Sequence, residues 1–187
     1  NYSSSISEIK LIGVIPFEGN DYVISGRDLN STFTTTMTDA GITLPEELEG
    51  NVKVYYSTEE NPTKDLTDVS NGWTLAEDVE DWTEIKTFMI DFEEYTLEAA
   101  KTVLFEYTIS IPNGLDFNLL SYNEVGVYFN LDTEEGKYAT RTEPNKLGFR
   151  IAEKYNIDLE KYQTNKTRLI PGATYLIKEE GQEEEGK

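Results

Sequence analysis

The chain has 187 residues, with 36 acidic against 16 basic side chains, a net charge of −20 and a pI near 4.2. Its 37% hydrophobic and 12% aromatic content supplies enough apolar area for a packed core, while its negative field opposes binding to nucleic-acid phosphates and anionic membranes. It contains neither Cys nor His, which excludes disulfides, thiolate nucleophiles, zinc–thiolate sites and any Ser-His-Asp triad.

Strand signals then follow in chain order. Residues 9–15 (Ile-Lys-Leu-Ile-Gly-Val-Ile) form a β-branched apolar run closed by Pro16 and by Gly19-Asn20. Residues 31–38 hold five Thr around Phe33 and Met37, suiting a half-exposed strand. Leu44-Pro45-Glu46-Glu47-Leu48 predicts one helical turn with Pro near its start. Residues 52–57 alternate as Val-Lys-Val-Tyr, and residues 84–92 put Phe88, Ile90 and Phe92 on one face. Residues 96–101 are a second short helical candidate. Residues 102–111 carry Val103, Phe105, Tyr107, Ile109 and Ile111 on one side and stop at Pro112-Asn113-Gly114. Residues 125–131 repeat the pattern with Val125, Val127, Phe129 and Leu131. One face buried and one face solvated is the reading for each.

Short strands punctuated by Gly, Pro and Asn predict an all-β fold. The β-rich stretch runs to about residue 152, longer than a minimal immunoglobulin domain. The expected architecture is therefore a β-sandwich, either elaborated immunoglobulin-like or jelly-roll. Charge is uneven: residues 1–152 carry 28 acidic and 10 basic residues, a net of −18, and the rest only −2. That shift sets a boundary near Glu153, giving an acidic β-sandwich domain over 1–152. Residues 153–187 follow as a linker, the opening strands of another module and a mobile Glu- and Gly-rich tail. No stretch approaches membrane-spanning length, and Asn1-Tyr2-Ser3-Ser4-Ser5 lacks the pattern of a signal peptide, so a mature chain, a fragment or a cytosolic chain is expected.

Ile157-Asp158-Leu159-Glu160-Lys161-Tyr162 and Leu169-Ile170-Pro171-Gly172-Ala173-Thr174-Tyr175-Leu176-Ile177 resemble the opening of a collagen-adhesin B-type domain, the SpaA-like module of Gram-positive pilins and adhesins. In that family a first strand ends near a Lys, and a Gly-Ala-containing segment starts the second. The resemblance makes Lys161 the counterpart of the Lys that joins an Asn in an isopeptide bond, with the family's Asn and acidic partner lacking counterparts here. A looser likeness to the large sandwich preceding such modules is carried by Val52-Lys53-Val54-Tyr55-Tyr56-Ser57-Thr58, Gly72-Trp73-Thr74, Ile85-Lys86 and Ile111-Pro112. The resemblance implies a non-catalytic stalk or adhesin unit of a secreted, cell-wall-attached surface protein. Its partners would be neighbouring domains of the same chain and a host or neighbouring-cell glycan or matrix protein. A carbohydrate- or matrix-binding module is the alternative, and a carboxylate-only glycoside hydrolase a more distant one.

Four groups of residues carry the candidate chemistry. Lys86 is in phase with Phe88 and Ile90, so an inward lysine joined to Asn130 or Asn118 by an isopeptide bond is one reading. Glu84 shares that phase and favours the other, a strand-end lysine whose head reaches water. Tyr55, Tyr56, Trp73 and Trp82 are candidates for an aromatic ligand platform, weighed against packing in the core and at its rim. Asp132, Glu134 and Glu135 are weak Ca²⁺ candidates, though Asp132-Thr133-Glu134-Glu135-Gly136 reads better as a solvated hairpin turn. Glu77-Asp78-Val79-Glu80-Asp81 is a second acidic run without the EF-hand pattern, and no cofactor is otherwise implied.

Overall fold

The computed structural model describes residues 5–98 and 101–151. Among these the chain is all-β, with antiparallel strands and only single turns of 3-10 helix. In chain order the strands are β1 (Ser5–Val14), β2 (Thr36–Thr43), β3 (Lys53–Ser57), β4 (Thr74–Leu75) and β5 (Thr87–Asp91). They continue with β6 (Glu106–Ser110), β7 (Leu120–Thr133), β8 (Gly136–Thr142) and β9 (Leu147–Arg150). The main sheet runs β4-β3-β5-β1-β7-β8, with β9 added to the first residues of β7, and β2 pairs with β6 in a separate ribbon.

The register explains which side chains meet. Gly13 lies opposite Phe88 and Leu11 opposite Ile90, while Tyr56 and Val54 oppose the same two residues from β3. Directly opposed residues project to one face of a sheet, so these residues build a continuous apolar surface. Met37, Ile42, Tyr107 and Ile109 of the β2–β6 ribbon pack against that surface. Phe88 meets Tyr107 at 5.3 Å between ring centroids and Phe105 at 6.2 Å. Burial of each such aromatic or aliphatic side chain contributes about 1.5–3 kcal/mol.

Over β1 and β5 the other face of the main sheet is covered as well. Ile12, Val14, Thr87 and Met89 project there and are buried, the first three against Val23 and residues 60–62. The Thr87 hydroxyl donates to the Glu59 carbonyl at 3.1 Å. All five residues of β5 are therefore buried, where one solvated face was expected. Lys10 and Asp91, on that same face, neutralise each other at 2.8 Å.

Two expectations shift. The Thr-rich run begins as a loop: Ser31, Thr32 and Phe33 bond to Tyr122, Leu120 and Ser121, and the strand starts only at Thr36. Ser and Thr side chains compete for backbone partners in this way. The second helical candidate, 96–101, instead opens with a bridge between Leu97 and Ile6. The first gives a 3-10 turn over Glu46–Leu48, directly after Pro45.

Candidate functional site

Lys86 sits at the entry to β5, half-buried, with its ammonium 4.4 Å from the centroid of the Phe17 ring. A cation over an aromatic face is a satisfied arrangement. Its neighbour Thr87 pairs with Val14, whereas Asn130 pairs with Ser7, seven residues away along β1. At about 3.3 Å per residue that separation is roughly 20 Å, so the proposed Lys86–Asn130 bond has no geometric basis. Asn118 is tied by its backbone N–H to the Ile151 carbonyl at 2.9 Å. Lys161 lies outside the described residues.

Of the four aromatic candidates, Tyr55 and Tyr56 point to opposite faces of the sheet. Tyr56 is buried: its hydroxyl accepts the Ile42 N–H at 2.8 Å, and its ring meets Trp82 edge-on at 4.8 Å. Tyr55 points the opposite way, across from Met89 and Leu75. The Trp73 indole donates to the Thr63 carbonyl at 2.8 Å, fixing the loop that precedes it. Tyr56 and Trp82 belong to the core, so the four rings do not form one platform.

Asp132 is held by hydroxyls, accepting from Ser7 at 2.9 Å and Ser5 at 3.4 Å. Glu134 and Glu135 are the exposed central residues of a tight β7–β8 turn closed by Thr133 and Gly136. Among the described residues no group of three or more carboxylates is placed to hold a metal ion.

The structure gathers ionisable groups at a further place, where no sequence motif marks them. Residues 20–29 form a short hairpin, in which Tyr22 and Arg27 are joined at 2.8 Å and Leu29 bonds back to Asn20 at 2.9 Å. Its tip lies over β7 at Gly126, where a Cβ would stand 2.8 Å from the Val23 side chain and 2.9 Å from that of Ile24. Glu124, two residues earlier on the same face, is only 4% exposed and accepts the Val23 N–H at 3.0 Å. Glu143 accepts the next two amides, Ile24 at 2.7 Å and Ser25 at 3.0 Å.

Burial pushes the Glu124 carboxyl up to about 7; the Val23 N–H opposes this, the neighbouring Glu143 charge adds to it, and the Val125 N–H opposes it more weakly. For Glu143, burial also pulls upward, but hydrogen bonds from Ser25 and Ile24, with help from Arg27, outweigh it and hold the carboxyl below its usual range. Two adjacent carboxylates thus have opposite tendencies, and both are turned to backbone amides.

A separate surface feature borders β6. Pro16, Phe105, Tyr107, Ile109, Asn123 and Phe149 line an open groove of about 440 Å³, with Asn123 donating to the Tyr107 hydroxyl at 3.0 Å. Among the described residues β6 pairs only with β2, leaving its other edge free beside this groove. Compared with protein-family models, curated proteins and solved structures, the chain matches none.

Proposed function

We propose that the chain is a non-catalytic module of a bacterial surface protein, a stalk or adhesin unit presented on the cell wall. The observation that carries this reading is the antiparallel all-β build of the described residues, a main sheet with the β2–β6 ribbon packed against its apolar face. Glu124 and Glu143 accept backbone amides of the 20–29 hairpin, which supports a structural part for this pair. The resemblance around Lys161 to Ile177 supports the surface placement. In this reading the main sheet and the β2–β6 ribbon are the two layers of an elaborated sandwich, and no metal is required.

The test is localisation together with turnover. Antibody against the chain should label intact cells of the source organism and follow the cell-wall fraction, and the purified chain should leave a panel of glycosides unhydrolysed. Recovery only from the cytosol, or turnover of a glycoside, overturns the proposal. The groove beside β6 favours a second reading, a module that binds a glycan or matrix protein. Saturable binding on a glycan or matrix array, lost in Phe149→Ala, is its expected signature.

A further inference from the structure

Two buried oxygen atoms beneath the 20–29 hairpin lack any hydrogen-bond partner: Oε1 of Glu124 and Oδ1 of Asn20. Both belong to residues that fasten the hairpin. Asn20 donates its amide to the Tyr122 carbonyl at 2.8 Å, and Glu124 takes the Val23 N–H with its second oxygen. An unpaired buried acceptor is costly, and a charged one more so. One proton on Glu124 removes the charge, and with it the larger part of that cost.

The surroundings do not neutralise a Glu124 anion. On its own face of β7 stand Tyr122 and Tyr128, and β8 and the residue after it supply Arg141 and the like charge of Glu143. From the hairpin, Arg27 acts on Glu143 and lies 4.9 Å from the Tyr22 ring, with Asp21 and Asp28 pairing at the hairpin base. Lys146 stacks 3.6 Å from the Tyr122 ring centroid and bonds the Leu29 carbonyl, and Lys64 stacks 5.1 Å from that of Tyr128. Glu60 lines the small void beside Val23. The β1 residue opposite Glu124 is Val14. Among the described residues no cation lies within ion-pair distance of Glu124.

We infer that the 20–29 hairpin is a proton-operated latch, seated on β7 while the Glu124 carboxyl is neutral and loosened when that carboxyl ionises. Lifting the tip hydrates the anion and separates it from Glu143, so the open form is the one that ionisation favours. Its proton is held up to about pH 7 in the seated form against an ordinary 4.5, so closure weakens as pH rises between those values. Opening would bare Gly126 and Glu124, a surface distinct from the β6 groove.

Amide exchange of Val23, Ile24 and Ser25 in the full chain, corrected for intrinsic rates, tests this directly. Between pH 5.5 and 8 their protection should fall about thirty-fold, the factor set by a carboxyl near 7 when seated and 4.5 when open. Glu124→Gln should abolish that fall. The wild-type Glu124 carboxyl carbon, followed by NMR, should titrate with a midpoint near neutrality and move together with the three amide signals. A Glu124 midpoint in the ordinary carboxylate range, or equal protection at both pH values, overturns the inference. If Glu124→Gln does not fold, the wild-type titration and exchange decide alone.

Discussion

Gly13 and Phe88 stand directly opposite each other on β1 and β5, and the tip of the ring lies over the glycine. A Cβ at position 13 would come within 2.2 Å of Cζ and within 2.6 and 2.9 Å of the two Cε atoms. The ring cannot swing clear, because it is 1% exposed and Phe105 and Tyr107 hold its other sides. Gly13→Ala should therefore cost about 1–3 kcal/mol, the usual penalty for overpacking a filled core. Phe88→Leu removes the three clashing atoms while keeping the branch point; it should cost about 1–2 kcal/mol, less than the 3–5 of truncation to Ala. In that background the added methyl has room, so Gly13→Ala should become nearly neutral. The expected coupling is about 1–2 kcal/mol in a double-mutant cycle, read as urea midpoints at constant m-value. A Gly13→Ala cost that is the same in both backgrounds would refute the reasoning, since it would place the strain in the backbone and not against the ring.

Other perturbations probe separate links. Tyr56→Phe strips the acceptor from the Ile42 N–H and should cost about 1–3 kcal/mol by denaturant titration, the range for an orphaned buried donor. Gly126→Ala should lower the amide protection of Val23 and Ile24 by displacing the hairpin tip, while Met89 and Ile90 in the core keep theirs. Peptide mapping should recover Lys86 with a free amine, and Lys86→Met should change stability by no more than about 2 kcal/mol, the upper worth of a half-buried cation–π contact. Folding stability should depend on pH through Glu124: the native state keeps its proton up to about 7 and the unfolded chain only to 4.5. Stability is then fully present below 4.5 and declines by about 1.4 kcal/mol per pH unit towards 7, roughly 3 kcal/mol in all, a slope that Glu124→Gln should flatten.

The strands that sequence periodicity exposed are those with one strongly apolar face: β1, β3, β5, β6 and β7 lie within or overlap the runs expected for them. Two were illegible for a physical reason. β4 is two residues long and exists because Tyr55 and Tyr56 offer it a free edge. β9 is mostly exposed and is recruited by the first residues of β7. In each case the partner, not the local sequence, decides the conformation, which is the usual limit on strand propensity. The place of Lys86 is similarly contingent: the ring that receives its ammonium comes from Phe17, sixty-nine residues upstream.

The hairpin site shows where period-two reading misleads. In the row Tyr122, Glu124, Gly126, Tyr128 the alternation assigns a solvated face, because its apolar counterparts Val125, Val127 and Phe129 occupy the other side. Yet Glu124 and Gly126 are buried while those three are only half-buried. A sheet covered on both faces has no solvated row, and a loop that packs on it must bring backbone amides with it. Carboxylates are suited to receive those amides, and a glycine admits the chain closely enough for them to meet. An acid and a glycine two apart on the polar side of a long strand are therefore the residues expected beneath a crossing loop. What no local pattern supplies is the loop itself, about a hundred residues upstream, and with it the burial that leaves Glu124 half-satisfied and sets the pH at which the contact would yield.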